Sequence, residues 1–139
     1  MIIEVTYHPS KHDLESIYQA LKEFNEPFFQ GLDEKVLALF IRDPHHQIIG
    51  GIAAHLFYDS LHIHRIWVHE TLRRKGVGTK LLKTAEREAR KMRITKVFLD
   101  TYNFQAPEFY QNHGFREVGR YVGYPQDGTD KIFYQKTLI

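Results

Sequence analysis

Between residues 61 and 102 the chain changes its hydrophobic habit twice, and this constrains the fold more than any other feature. "LHIHRIWVHE" (61–70) is rich in the β-branched and aromatic residues that suit a strand. Val77, Leu81, Leu82, Ala85, Ala89 and Met92 then recur with a period of 3.6, the apolar stripe of a helix. "TKVFLDTY" (95–102) is strand-like again. A strand, a helix and a strand in succession make a β-α-β crossover, so a sheet must carry this helix on its surface.

The flanking sequence extends that sheet. "MIIEVTYH" reads as a first strand from its β-branched content. Ser10 is an N-cap for "KHDLESIYQALKEF", with Leu14, Ile17, Tyr18 and Leu21 at helical spacing. Pro27 and Gly31 break that helix within the irregular "NEPFFQGLDE". "KVLALFIRD" and "QIIGGIAAHLFY" are strands joined by the turn "DPHH", and "DS" turns the second of them into "LHIHRIWVHE". "QAPEFYQNHG" is a short helix with Pro107 in its first turn and Gly114 as its stop. "FREVGRYVGY" and "KIFYQKTLI" flank the Asp-Gly turn signal in "PQDG", so the chain closes on a hairpin. The predicted order is β-α-β-β-β-α-β-α-β-β, a mixed α/β fold in one domain over residues 1–139, with six to seven strands, mostly antiparallel.

The connection into the long helix, "RRKGVGTKLL" (73–82), carries the first chemical signal. A helix N-terminus presents unpaired N–H groups and the positive end of the macrodipole. Gly76 and Gly78 let a ligand approach that backbone, and Arg73, Arg74, Lys75 and Lys80 add positive charge. This is a phosphate cradle. A P-loop is excluded because Thr79 precedes Lys80 and the upstream glycine is missing. A dinucleotide fingerprint is disfavoured because position 81, where a third glycine would be needed, is Leu.

A second stretch identifies the ligand by resemblance. "NFQAPEFYQNHGF" (103–115) resembles N-x-x-A-x-x-F-Y-x-x-x-G-F, and Arg73, Gly76 and Gly78 resemble R-x-x-G-x-G. Both patterns, in this order, are similar to those of the GNAT superfamily of acyl-CoA-dependent N-acetyltransferases. Arg74 stands where such proteins commonly have Gly. The resemblance implies that the backbone of Arg73, Arg74, Lys75, Gly76, Val77, Gly78 and Thr79 wraps the pyrophosphate of acetyl-CoA. It implies that Ile66, Trp67 and Val68 pair with the pantetheine arm. It further implies that this strand and the strand 96–102 begin as a parallel pair and splay apart. Asn103 would sit at the mouth of the slot, and Tyr110 would point at the thioester sulfur. A phenol, with a pKa of about 10, is protonated at neutral pH and can donate to a departing thiolate. An oxyanion donor is expected on the backbone near Val68.

The acceptor amine must lose a proton, and Glu70, His62, His64 and His69 are the candidate bases. His62 and His64, two apart on a strand, share a face. These imidazoles with His55 also raise a metal reading, but without a clear third ligand and without cysteine no metal site is expected. Phe28, Phe29, His62 and Tyr124 are the expected acceptor contacts, an aromatic wall suited to a cationic amine. A small-molecule amine is favoured over a peptide amine. Arg73, Arg74, Lys75, Lys80 and Lys83 among many aromatics admit an RNA surface. A net charge of +2 and the lack of an RNP-type motif argue against it. An acyl-CoA sensor without turnover is the third reading. With neither a leader-like start nor an apolar run of membrane-spanning length, a cytoplasmic, membrane-free protein is expected. The last hairpin or an exposed strand edge offers a homodimer surface.

Overall fold

The computed structural model describes residues 1–29 and 34–139. Two compact units divide the chain, Met1–Leu32 and Asp33–Ile139. In the first, α1 (Lys11–Asn25) starts where expected: the Ser10 hydroxyl accepts from the Asp13 N–H at 3.0 Å. A single 3₁₀ turn, Glu26–Phe28, follows with Pro27 in it. Residues 1–8 form no strand, contrary to expectation. β-propensity measures fit to a pleated, half-buried surface, and Ile2, Ile3 and Val5 are exposed rather than laid on one. Gln30–Asp33 of the irregular segment lie outside the described residues.

The second unit is a six-stranded sheet in the order β1-β2-β3-β4-β6-β5. Its strands are β1 (Glu34–Arg42), β2 (Ile48–Phe57), β3 (Ser60–Val68), β4 (Lys96–Tyr102), β5 (Arg116–Tyr121) and β6 (Lys131–Thr137). All pairs are antiparallel except β3 with β4. The crossover between those two is α2 (Val77–Lys91), and α3 (Pro107–Asn112) joins β4 to β5. β6 inserts between β4 and β5, an order that the local turn signal does not encode. No helix among the described residues is long and apolar enough to cross a membrane.

The register assigns each residue to a face. Leu56 pairs with Leu61, Leu61 with Val97, Leu99 with Tyr134 and Thr101 with Ile132. These are buried, together with Leu81, Leu82, Ala85 and Ala89 of α2 and Tyr110 of α3, so both helices cover this one face. Each fully buried leucine there contributes about 1.5–3 kcal/mol. The alternate set runs across the other face: His55 pairs with His62, His62 with Phe98, and Asp100 with Phe133. Met92, expected in the helical stripe, instead caps α2 at its C-terminus and is 42% exposed.

One buried charge ties α2 to the sheet. Glu86 is 4% exposed, and its carboxylate accepts from Lys136 Nζ at 2.8 Å, with Arg90 Nη2 3.9 Å away. Removing the lysine leaves a buried carboxylate with only the distant arginine. Lys136→Met should therefore lower stability in urea denaturation by about 2–4 kcal/mol, while the double variant Glu86→Leu/Lys136→Met recovers most of that loss. A neutral single variant would show that the pair is solvated and contributes nothing.

Candidate active site

The site begins where the parallel pair ends. β3 and β4 are in register only at Ser60–Lys96, Leu61–Val97 and His62–Phe98. Beyond that β3 stays paired to β2 as far as Val68, and β4 stays paired to β6 as far as Tyr102. The two strands therefore part, and the facing edge of Ile63–Val68 has no ladder partner on β4. The expected splay is present, and Ile66, Trp67 and Val68 lie along it. One group there is already engaged: the Val68 carbonyl accepts from Arg73 Nε at 3.1 Å. Arg73 thus anchors the end of β3 to the following turn.

That turn delivers the chain to α2. Glu70–Leu72 is a short 3₁₀ turn capped by His69, whose Nδ1 accepts from the Thr71 N–H at 3.2 Å. This makes His69 a structural cap. Glu70 is exposed in the same turn. Arg74 adopts φ 62° and Gly76 φ 76°, both in the left-handed region. Gly76 is the N-cap of α2 and offers no side chain to its amides. The first intrahelical bond runs from the Lys80 N–H to the Gly76 carbonyl at 3.0 Å, so the amides of Val77, Gly78 and Thr79 precede the ladder. The first turn contains no acidic residue, and Lys75 and Lys80 flank it. The arrangement fits a polyphosphate.

The two glycines serve different needs. A Cβ at Gly76 would meet nothing within 4 Å, so glycine is there for its dihedral. A Cβ at Gly78 would come within 3.3 Å of the Phe109 ring. The sequence reading missed this wedge, by which Phe109 packs α3 onto the start of α2.

Tyr110 is 7% exposed, with its ring against Phe109, Phe115 and Tyr134. It belongs to the core, and burial pushes its phenol up to about 12. Asn103, expected at the slot's mouth, holds the β5–β6 loop. Its Nδ2 donates to the Gly128 carbonyl and its Oδ1 accepts from the Asp130 N–H, both at 3.2 Å. Gln105, also missed, caps the end of β4 by accepting from the Tyr102 N–H at 2.9 Å.

The other face carries the imidazoles. A bulge in the β2–β3 ladder pairs Ala54 with Ile63 and Ala53 with Arg65, leaving His64 over. His62 and His64 do share a face, with ring centroids 4.4 Å apart, and His55 joins them from β2. Burial, then the neighbouring imidazoles, holds both His62 and His64 below the usual histidine range. A cavity of about 460 Å³ lies on this face, lined by His55, His62, Phe98, Asp100 and Phe133 among others. Tyr124 does not line it; its ring packs on Tyr121, with Lys131 Nζ 5.7 Å from its centroid. The chain's own lysine thus takes the cation position expected of a substrate. Phe28 belongs to the first unit, where its ring lies 6.2 Å from that of Phe24, and Phe29 closes the 3₁₀ turn there.

Comparison with known proteins converges on one family. Residues 4–115 match the model of the acetyltransferase (GNAT) family. An acetyltransferase of Agrobacterium fabrum is 32% identical over 104 residues, which cover 75% of this chain and 76% of that protein. Blasticidin-S acetyltransferase of Streptomyces morookaense is 28% identical over 111 residues, covering 79% and 82%. The crystal structure of an acetyltransferase from Bacillus cereus superposes with a TM-score of 0.83 at 29% identity, covering 97% and 98% of the two chains.

The cradle makes a conformational prediction. Gly76→Ala should lower stability by about 1–2 kcal/mol, and Gly76→Asn by less, because Asn tolerates the left-handed region. Thermal or urea unfolding of the two variants measures this; equal stability of Ala and Gly would mean that residue 76 is not held at positive φ.

Proposed function

The chain belongs to the GNAT family of acetyltransferases, and on that premise we propose that it moves an acetyl group from acetyl-CoA to a small-molecule amine by direct attack. The observation that carries the reading is the uncapped start of α2 beside the parting of β3 and β4, with Tyr110 packed into the same helical face. Acetyl-CoA brings the acyl group already activated as a thioester. The amides of Val77, Gly78 and Thr79, with Lys75 and Lys80, hold its phosphates. The free edge of Ile66, Trp67 and Val68 takes the arm by strand-like pairing. The family match runs from residue 4 to 115, through most of the first compact unit and into the second, which supports treating the two as parts of one functional domain.

Tyr110 serves the leaving group. Its phenol, pushed up to about 12, stays protonated at any physiological pH. Full transfer to a thiolate whose conjugate acid has a pKa of about 8.5 would be uphill on the order of 5 kcal/mol. Tyr110 therefore donates a hydrogen bond to the developing thiolate and keeps its proton. We place the attacking amine on the opposite face of the sheet, in the cavity lined by Phe98, Phe133 and Asp100, where Lys131 Nζ lies 3.7 Å from the Asp100 carboxylate and 5.8 Å from the Phe133 centroid and must yield to an incoming cation. Blasticidin-S acetyltransferase, named for a small-molecule acceptor, is similar over most of this chain and supports that class. The amine's proton leaves through water; Glu70 is exposed beside the cradle, and His64 already contacts His55.

Two measurements test this. Acetyl-CoA at about 100 times its Kd should stabilise the fold by roughly 2.7 kcal/mol and raise Tm by several degrees, with NAD and ATP inert. No shift at saturating acetyl-CoA would sink the reading. Tyr110→Phe should lower kcat about 10- to 150-fold, the worth of one hydrogen bond to a charge, and leave acetyl-CoA affinity unchanged. An unchanged kcat would remove Tyr110 from the chemistry and leave it a core aromatic.

A further inference from the structure

Three histidines converge on the sheet face opposite the helices. His55 and His62 are direct cross-strand partners on β2 and β3, and His64 is the residue left over at the bulge. One ring nitrogen from each lies within 4.8 Å of the other two. The closest pair, His55 Nδ1 and His64 Nε2, is 2.5 Å apart. The rings are packed face to face and edge to face, with centroids 4.4, 4.6 and 5.4 Å apart. One hydrogen bond between two imidazoles accounts for His55 and His64. It leaves the His62 imidazole with no hydrogen bond among the described residues.

We propose that His55, His62 and His64 form a binding site for one divalent first-row transition ion, of which Zn²⁺ is the type. Imidazole nitrogens are the preferred donors of such ions, and three of them with an open fourth position make a complete open site. Bound at about 2.0–2.1 Å in tetrahedral geometry, three nitrogens sit about 3.3 Å from one another. The present set brackets that value, so small side-chain rotations on a fixed strand pair close the site. Two paired strands are rigid supports, unlike a loop. Asp100 lines the same cavity as His55 and His62, with its carboxylate 3.7 Å from Lys131 Nζ, so the cavity wall beside the imidazoles carries a carboxylate that is already paired. All three ligands belong to Asp33–Ile139 and none to the cradle, so the site does not depend on acetyl-CoA.

The test uses the full chain without an affinity tag, stripped with a chelator. Zn²⁺ is titrated by calorimetry, Co²⁺ by its visible ligand-field bands, and acetyl-CoA by thermal shift in parallel. One ion should bind per chain, with the intense Co²⁺ spectrum of low coordination number. His55→Ala, His62→Ala and His64→Ala should each weaken the ion about tenfold to a hundredfold or more, while His45→Ala in the β1–β2 turn has no effect. Each variant's thermal shift with acetyl-CoA should persist, which shows that it is folded; His62→Gln replaces any alanine variant that is not. Weak binding shared equally by all four variants, or none at all in a chain that still responds to acetyl-CoA, would overturn the site. Loss of the acetyl-CoA response with ion binding intact would instead count against the acetyl-transfer reading alone.

Discussion

Three residues of parallel pairing hold the architecture open. β3 and β4 touch only from Ser60 to His62 and from Lys96 to Phe98. Each strand is then kept straight by a different neighbour, β2 on one side and β6 on the other. Because those outer ladders continue past the point of parting, the strands cannot close again. Strand backbone that would otherwise be paired is left as an unsatisfied edge, and an unsatisfied edge binds an extended chain. The crossover helix sets the distance over which this happens, since α2 must return the chain from the end of β3 to the start of β4. Its buried stripe and the Glu86–Lys136 pair fix it to the sheet while its N-terminus stays beside the open edge.

The slot also gives the sheet a functional polarity. Tyr110 and the uncapped amides at the start of α2 belong to the helical side, whereas the imidazoles and Asp100 lie on the reverse face.

Much of this was legible in the sequence, and the losses have identifiable causes. The helix at 77–91, its glycine-rich entry and the short helix after Pro107 followed from period and capping, which are local. The order β4-β6-β5 did not, because strand insertion is decided by which edge is free and not by any turn residue. Residues 1–8 have strand composition, but composition reports a tendency that only a pairing partner realises. The resemblance assigns Asn103 and the backbone of Arg73 to the cofactor, and it says nothing of their side chains, which bond to the Gly128 and Val68 carbonyls. Tyr124 looked like a receptor for cations, and it is one for Lys131. For Asn103 the missing partner is 25 residues away, at Gly128, whereas for Arg73 and Tyr124 it is only five and seven residues off and is set by how the turn folds back.

His55 shows how near such information can come to the surface of the sequence. The tight turn at Tyr58–Asp59 pairs Phe57 with Ser60, and counting outward from it places His55 opposite His62. The histidine pair expected on β3 therefore had a third member within reach of simple register arithmetic. What the arithmetic lacks is the bulge at Ala53–Ala54, which inserts His64 and increases the local twist. A regular ladder would carry His64 one pair further from His55. At the bulge its ring lies with a centroid separation of 4.6 Å from that of His55. A single irregular backbone position thus converts two strand histidines and a cross-strand neighbour into one convergent set of nitrogens, immediately beside the last register at which β3 and β4 still meet.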